Sequence, residues 1–350
     1  MNKRVFGASL ATLAALSLVA CGSRDKSEDS GSGKTDLKVA MVTDTGGIDD
    51  RSFNQSAWEG LQAWGKENGL KKDKGYTYFQ SASDSDYETN LNQAVDSGYK
   101  LIYGVGYKLA DSIKTVAANN SDTNFVIIDS VIDDMDNVAS ATFADQESAY
   151  LAGIAAAKST KTNKVGFVGG IEGEVITRFE KGFEAGVKSV NKDIDIKVDY
   201  AGSFDDASKG QTIAKAQYAN GADVIYQAAG GAGKGVFSAA KAENETKNEA
   251  DKVWVIGVDR DQEADGKYTS KDKKDSNFVL GSTIKGVGKV IEIISTDTAD
   301  GNFKGGTHEV YGIKDGSVDF VETNLSDDAK KAVDEARSGI KDGKIEVPQK

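Results

Sequence analysis

The stretch LKVAMVTDTGGIDDRSFNQSAWEGL, residues 37–61, passes from an apolar run through a polar loop into a helical pattern. Val42 ends a predicted strand, so Asp44 falls at that strand's carboxyl end. Gly46 and Gly47 let the loop turn without a Cβ penalty. Ser52 with Gln55 fits a capping box and predicts a helix starting near Phe53, with Ala57, Leu61 and Trp64 on its buried face. Parallel α/β sheets bind ligands outside the carboxyl ends of their strands. Phe53 and Asn54 thus stand beside the sheet edge, where a large aromatic is poorly buried unless a ligand covers it. A carboxylate, an aromatic and an amide gathered there predict a site for a small, partly flat, hydroxylated molecule. The plainer alternative is loop acids, a helix cap and one Phe stapling the loop; Asp49 and Asp50 read as solvated loop acids.

The same alternation runs down the chain. Apolar, β-branched runs such as LIYGVGY, FVIIDS, KVGFVGG, DVIYQAA and VWVIGVD are separated by amphipathic stretches such as YETNLNQAVDSG and RFEKGFEAGVKSV. This pattern predicts βαβ units and parallel sheets with helices on both faces. It restarts at NKVGFVGG, after QESAYLAGIAAAKS, which predicts two similar lobes with a first crossover near Phe143 to Gln146.

The N-terminus reads differently. Lys3 and Arg4 precede an apolar run and a small-residue junction, the build of a secretory signal peptide over residues 1–20. LVAC resembles a bacterial lipobox, in which Cys21 becomes the first mature residue and carries lipid. It is the chain's one cysteine, so an internal disulfide is excluded and an anchor gives the residue a reason. Residues 21–35 are nearly all Ser, Gly and charge and read as a flexible tether. About 315 residues remain, enough for two domains. Without Lys3 and Arg4 the 43 basic residues become 41 against 55 acidic ones, a net charge of −14 with no basic stripe, which speaks against nucleic acid as a partner.

Other strand ends carry candidates. FVIID ends in Asp129, VWVIGVD in Asp259, and DYAGSF near Phe204. Carboxylates accept two hydrogen bonds from a vicinal diol, and two Phe faces can sandwich a flat base. DTGGIDDRSFNQSAWEGL, FADQESAYLAG, VGFVGG, GSFDDASKGQ, QAAGGAGKGVF and GVDRDQ together resemble the basic membrane protein family of bacterial lipoproteins, and within it the purine nucleoside receptor type. The resemblance spans the mature body. It implies a type I periplasmic-binding-protein fold: two Rossmann-like lobes with parallel sheets, closing over ligand across a hinge. The lobes would take residues 36–143 plus about 284–310, and 144–283 plus about 311–350. Position by position, it implies ligand contacts at Asp44, Phe53, Asn54 and Asp129. Phe53 and Phe204 would stack on the base, with Phe179 as the alternative stacker. Gly233, Asp259 and Lys285 would complete the second-lobe and hinge contacts, Asp259 holding the ribose hydroxyls. The chain departs from the family at IEGEVITRF, which lacks a proline and leaves the role of Arg178 open, and at Ser148, where Gly is usual.

Other chemistries fit poorly. GGAGKG fails as a phosphate loop, with Ala228 at the first glycine position and Gly235 in place of Ser or Thr. DRDQEADGKYT fails as a calcium loop, with Ala264 in place of the turn glycine, so no metal and no cofactor are expected. One histidine, His308, and no cysteine in the body leave nucleophilic triads without their parts. The expected role is therefore a monomeric receptor, lipid-anchored on the outer face of the cell membrane, that captures nucleosides for an ABC transporter permease, and not an enzyme. A binding protein for a free sugar such as ribose and a secreted nucleoside hydrolase using paired aspartates are the competing readings.

Overall fold

The apolar runs become strands closed to water on both faces, as the fully buried segments Val39–Thr43, Leu101–Val105 and Val224–Ala228 show. The structure is a computed structural model that describes residues 34–350. The signal peptide, Cys21 and most of the tether lie outside the described residues.

The first sheet takes β1 (Val39–Thr43), β2 (Tyr76–Phe79), β3 (Leu101–Val105), β4 (Asn124–Ile128) and β5 (Val138–Phe143). The chain then builds a second sheet from β6 (Lys164–Gly169), β7 (Asp195–Tyr200), β8 (Val224–Ala228) and β9 (Trp254–Gly257). A hairpin of β10 (Lys267–Thr269) and β11 (Asp275–Asn277) leads to β12 (Val279–Lys285) in the second sheet. β13 (His308–Tyr311) returns to the first sheet and β14 (Val318–Glu322) to the second. The orders are β13-β5-β4-β3-β1-β2 and β14-β12-β9-β8-β6-β7. All pairings within the two sheets are parallel except β12 with β14, an antiparallel edge that the parallel-sheet reading did not foresee. β10, β11 and β13 also escaped the sequence reading, being three or four residues long and poor in apolar side chains.

The helices are α1 (Phe53–Glu67), α2 (Tyr87–Asp96), α3 (Ala110–Ala118), α4 (Asp145–Ser159), α5 (Glu174–Val190), α6 (Ala207–Ala219), α7 (Gly233–Glu245), α8 (Val287–Ala299) and α9 (Asp327–Lys341). They cover both faces of each sheet. Val39 and Met41 point into a core shared with α1 and α8, while Ala40 and Val42 point into one shared with α2 and α3. α1 and α8 meet where Gly60 faces Gly288; a Cβ on Gly60 would lie 2.2 Å from the Gly288 Cα. The two lobes are thus α/β layers with parallel-sheet cores. Three segments cross between the sheets, after Phe143, after Lys285 and after Tyr311. They are tied together where Glu147 Oε2 accepts from the Ile313 amide at 2.7 Å and Gly286 donates to the Ser317 carbonyl at 2.6 Å. Among the described residues no helix is long and apolar enough to cross a membrane.

Candidate functional site

In each sheet the strand order reverses at one place: β2 and β3 flank β1, and β7 and β8 flank β6. Crevices open outside the carboxyl ends of strands at such reversals. Here the two crevices face each other and form one cleft of about 550 Å³, counting its mouth. Asp44 and Gly106 come from the first sheet's reversal, and Gly230 and Gly231 from the turn after β8 in the second.

Asp44, Phe53, Asn54, Asp129, Phe204, Asp259 and Lys285 all line this cleft, and so does Phe179. Gly233 does not. It opens α7 with its Cα against Gln227, whose side chain a Cβ would strike at 2.1 Å, and Gly230 and Gly231 lie at the cleft in its stead. Phe53 and Phe204 are half-buried, whereas Phe179 is buried in the second lobe's core. The Phe204 ring lies over Gly170, where a Cβ would come within 2.3 Å of it, and meets Tyr107 edge-on at 6.4 Å. Tyr107 was missed because it follows an ordinary apolar strand, and only the fold brings it to Phe204.

α1 does start at Phe53, but not by the expected capping box. The Ser52 side chain makes no cap bond. Asp50 takes that role: its carboxylate accepts from the amides of Ser52 (2.8 Å), Asn54 (2.8 Å) and Gln55 (3.1 Å). Asp50 is buried, not a solvated loop acid, because three backbone donors and the helix N-terminus compensate its charge. Ser52 Oγ is thereby free to donate to Asp259 Oδ2 across the cleft.

The polar lining has a marked chemistry. Asn54 Nδ2 donates to Asp44 Oδ1 at 2.7 Å and to Asp50 Oδ2 at 3.0 Å. Two carboxylates can only accept, so they fix the amide orientation and leave Asn54 Oδ1 as a buried acceptor with no protein partner. Asp129 Oδ1 is in the same position. With Asp44 and Asp259 the cleft presents acceptors and calls for a ligand rich in O–H or N–H donors.

Beneath them lies an ionic cluster. Lys285 Nζ is 2.7 Å from Asp129 Oδ2 and 3.1 Å from Asp145 Oδ1, and the Arg178 guanidinium is 2.9 Å from Asp145 Oδ2. This is the role the sequence left open for Arg178. Asp145 itself was missed, because an acid in a helix's first turn is ordinary until its burial is seen. The Lys285 ammonium also sits 5.3 Å from the Phe53 ring centroid. Burial opposes its charge, but Asp129, Asp145 and Asp259 outweigh burial and raise its pKa. Burial raises Asp129, against the pull of Lys285. Burial also pushes Asp259 up to about 7 and Asp44 up to about 6, despite the hydrogen bonds each accepts.

Comparison with known proteins agrees with this architecture. A family model described as "ABC transporter substrate-binding protein PnrA-like" (Bmp) matches residues 37–350. The chain is 62% identical to the "ABC transporter nucleoside-binding protein BmpA" of Lactococcus lactis subsp. cremoris, over 100% of both chains. It is 51% identical to the "CD4+ T-cell-stimulating antigen" of Listeria innocua, again over 100% of both. Among solved structures, an ABC transporter solute-binding protein from Aeropyrum pernix superposes with a TM-score of 0.76 at 26% identity, covering 90% of this chain and 94% of that one.

Proposed function

The chain belongs to the Bmp family of PnrA-like ABC transporter substrate-binding proteins, and from that premise we propose that it captures nucleosides, purine nucleosides foremost, and delivers them to a transporter permease. One observation carries the reading: unpartnered acceptors, Asn54 Oδ1 and Asp129 Oδ1, beside the Asp44 and Asp259 carboxylates, set between an aromatic from each lobe, Phe53 and Phe204. A nucleoside matches both halves, with a flat base for the rings and ribose hydroxyls as donors for the carboxylates. The nucleoside-binding relative from Lactococcus lactis supports the same ligand class. In this reading Phe53 and Phe204 stack on the base and the buried Phe179 is the floor. Asp259 and Asp129 take ribose hydroxyls, Asp44 and Asn54 face donors on the remaining edge, and Lys285 holds the carboxylates in place.

The lobes divide at residues 36–143 plus about 284–310 and 144–283 plus about 311–350, and close across the three connecting segments. The protein acts as a monomer without enzymatic turnover, anchored to the outer face of the membrane by lipid on Cys21. Isothermal titration of the full chain in detergent, unfolded and refolded to strip carried-over ligand, tests the reading. Adenosine, guanosine, inosine, uridine, cytidine, ribose and adenine form the panel. Tight binding of nucleosides with weak ribose and adenine supports it. Tight binding of ribose alone replaces it with a sugar receptor, and release of free base, seen by chromatography, with a hydrolase.

A further inference from the structure

The rim of the cleft where α1 begins carries a second set of contacts, of which only the bond from Ser52 to Asp259 involves a ligand-facing residue. Arg51 reaches from the first lobe to Asp265 of the second at 2.6 Å, and Arg260 reaches back from the second to Glu59 of the first at 3.3 Å. Lys234, the second residue of α7, donates to the Asp49 carbonyl. Gln262 Oε1 accepts from the Val258 amide and from Gln227, so its Nε2 must donate, and it does so to the Arg51 carbonyl at 3.0 Å. Ser52 donates to Asp259. Two of the backbone positions that meet here are left-handed, Arg51 at φ 61° and Asp259 at φ 69°. Neither has the glycine that this conformation favours, so tertiary contacts hold it.

We propose that these residues form a clasp between the lobes, with Arg51 and Ser52 as positioning residues that set how long a ligand stays bound. The proposal rests on the receptor reading above. The two ion pairs run in opposite directions across the gap, so each lobe both offers and receives a guanidinium. Hinge opening pulls all five contacts apart together, because they converge on two short segments, 49–52 and 259–265, plus Glu59 and Lys234. Arg51, Glu59, Arg260 and Asp265 do not line the cleft, so they act on affinity through closure and not by touching ligand. A ligand leaves by way of the open form, and the clasp therefore governs dissociation; encounter also occurs with the open form, so loosening the clasp does not slow association. The paired charges are largely exposed at Arg51, so their grip weakens as salt rises.

The test is stopped-flow kinetics of the full chain with adenosine, inosine and uridine, for wild type, Arg51→Ala, Asp265→Ala and the double variant. Loss of either partner should raise the dissociation rate about three- to tenfold, with an association rate no slower than wild type, and the double variant should match the worse single one. The effect should shrink when salt rises from about 0.02 to about 0.5 M. Arg51→Gly removes the guanidinium while suiting the left-handed backbone, so faster dissociation there separates the lost pair from backbone strain. Unchanged dissociation at low salt in all of these variants overturns the clasp, as does a loss carried by association alone. Hydrogen exchange at residues 258–266, measured without nucleoside, reads closure directly. Faster exchange in Arg51→Ala supports the clasp even if wild type binds no nucleoside, an outcome that would overturn the receptor reading alone. Unchanged exchange overturns the clasp itself.

Discussion

Asn54 is held by two carboxylates on one side and is left with an unmet carbonyl on the other. That asymmetry is the site in miniature: acceptors fixed by other acceptors, waiting for donors. Phe53 supplies the flat face beside it, and Phe53→Ala should weaken nucleoside binding by about 1–3 kcal/mol, read by titration, while leaving the fold intact. Asp259 predicts two opposite pH trends. Only when ionised does its carboxyl group offer both oxygens, and a charge, to hydroxyl donors, and burial holds its pKa near 7. Nucleoside affinity should therefore rise as pH passes upward through about 7, and Asp259→Asn should remove most of that dependence. For the ligand-free protein the sign reverses. The folded form keeps a proton that the unfolded chain, with an ordinary value of 3.8, has already released. This contribution to stability is full below about pH 4 and is lost as pH rises through about 7, so Tm should fall over that window and fall less in Asp259→Asn. Asp44, raised to about 6, adds to the same trend at slightly lower pH. The sequence displayed these carboxylates at strand ends, but not their pKa values, since burial is a property of the shut cleft.

The start of α1 shows how one element can be found for an incomplete reason. The helix begins at Phe53 as expected, yet Asp50 satisfies its first amides and Ser52 turns away to Asp259. A capping-box pattern and an upstream aspartate are equally good acceptors on paper; the loop's path through Gly46 and Gly47 decides which one reaches. Asp50→Ala should cost about 1–2 kcal/mol in urea unfolding and should also weaken nucleosides, because Asn54 loses one of its two anchors. A loss of stability with unchanged affinity would leave Asp50 a cap and nothing more. Elsewhere, the apolar, β-branched runs read as strands all became strands, while β10, β11 and β13 are too short and polar to announce themselves. Glycine made the opposite error possible. Gly233 looks as permissive as Gly230 in AAGGAGKG, but its α-carbon faces Gln227 and not the cleft.

At the scale of the molecule, Lys285 joins the lobes from inside as the rim residues join them from outside. It leaves β12 of the second sheet, ion-pairs with Asp129 at the end of β4 in the first, and meets Asp145 at the crossing into α4. Lys285→Met should cost about 3–5 kcal/mol, measured by thermal or urea unfolding, because it strands the buried Asp129 carboxylate without its cation and leaves Asp145 with Arg178 alone. If Lys285→Met instead leaves stability unchanged, Asp129, whose pKa burial raises, is neutral in the folded protein. By itself, the sequence determined the α/β class, the two-lobe repeat, the family resemblance and the strand-end aspartates and phenylalanines, because period, apolar run length and motif are local properties. Which acids are buried, that Asp50 caps α1 while Ser52 spans the cleft, and how Arg178, Asp145 and Tyr107 join the site were decided only by the tertiary structure. Each depends on segments more than thirty residues apart meeting at two sheet reversals, or on a loop path that shuts out water, and no local pattern encodes either.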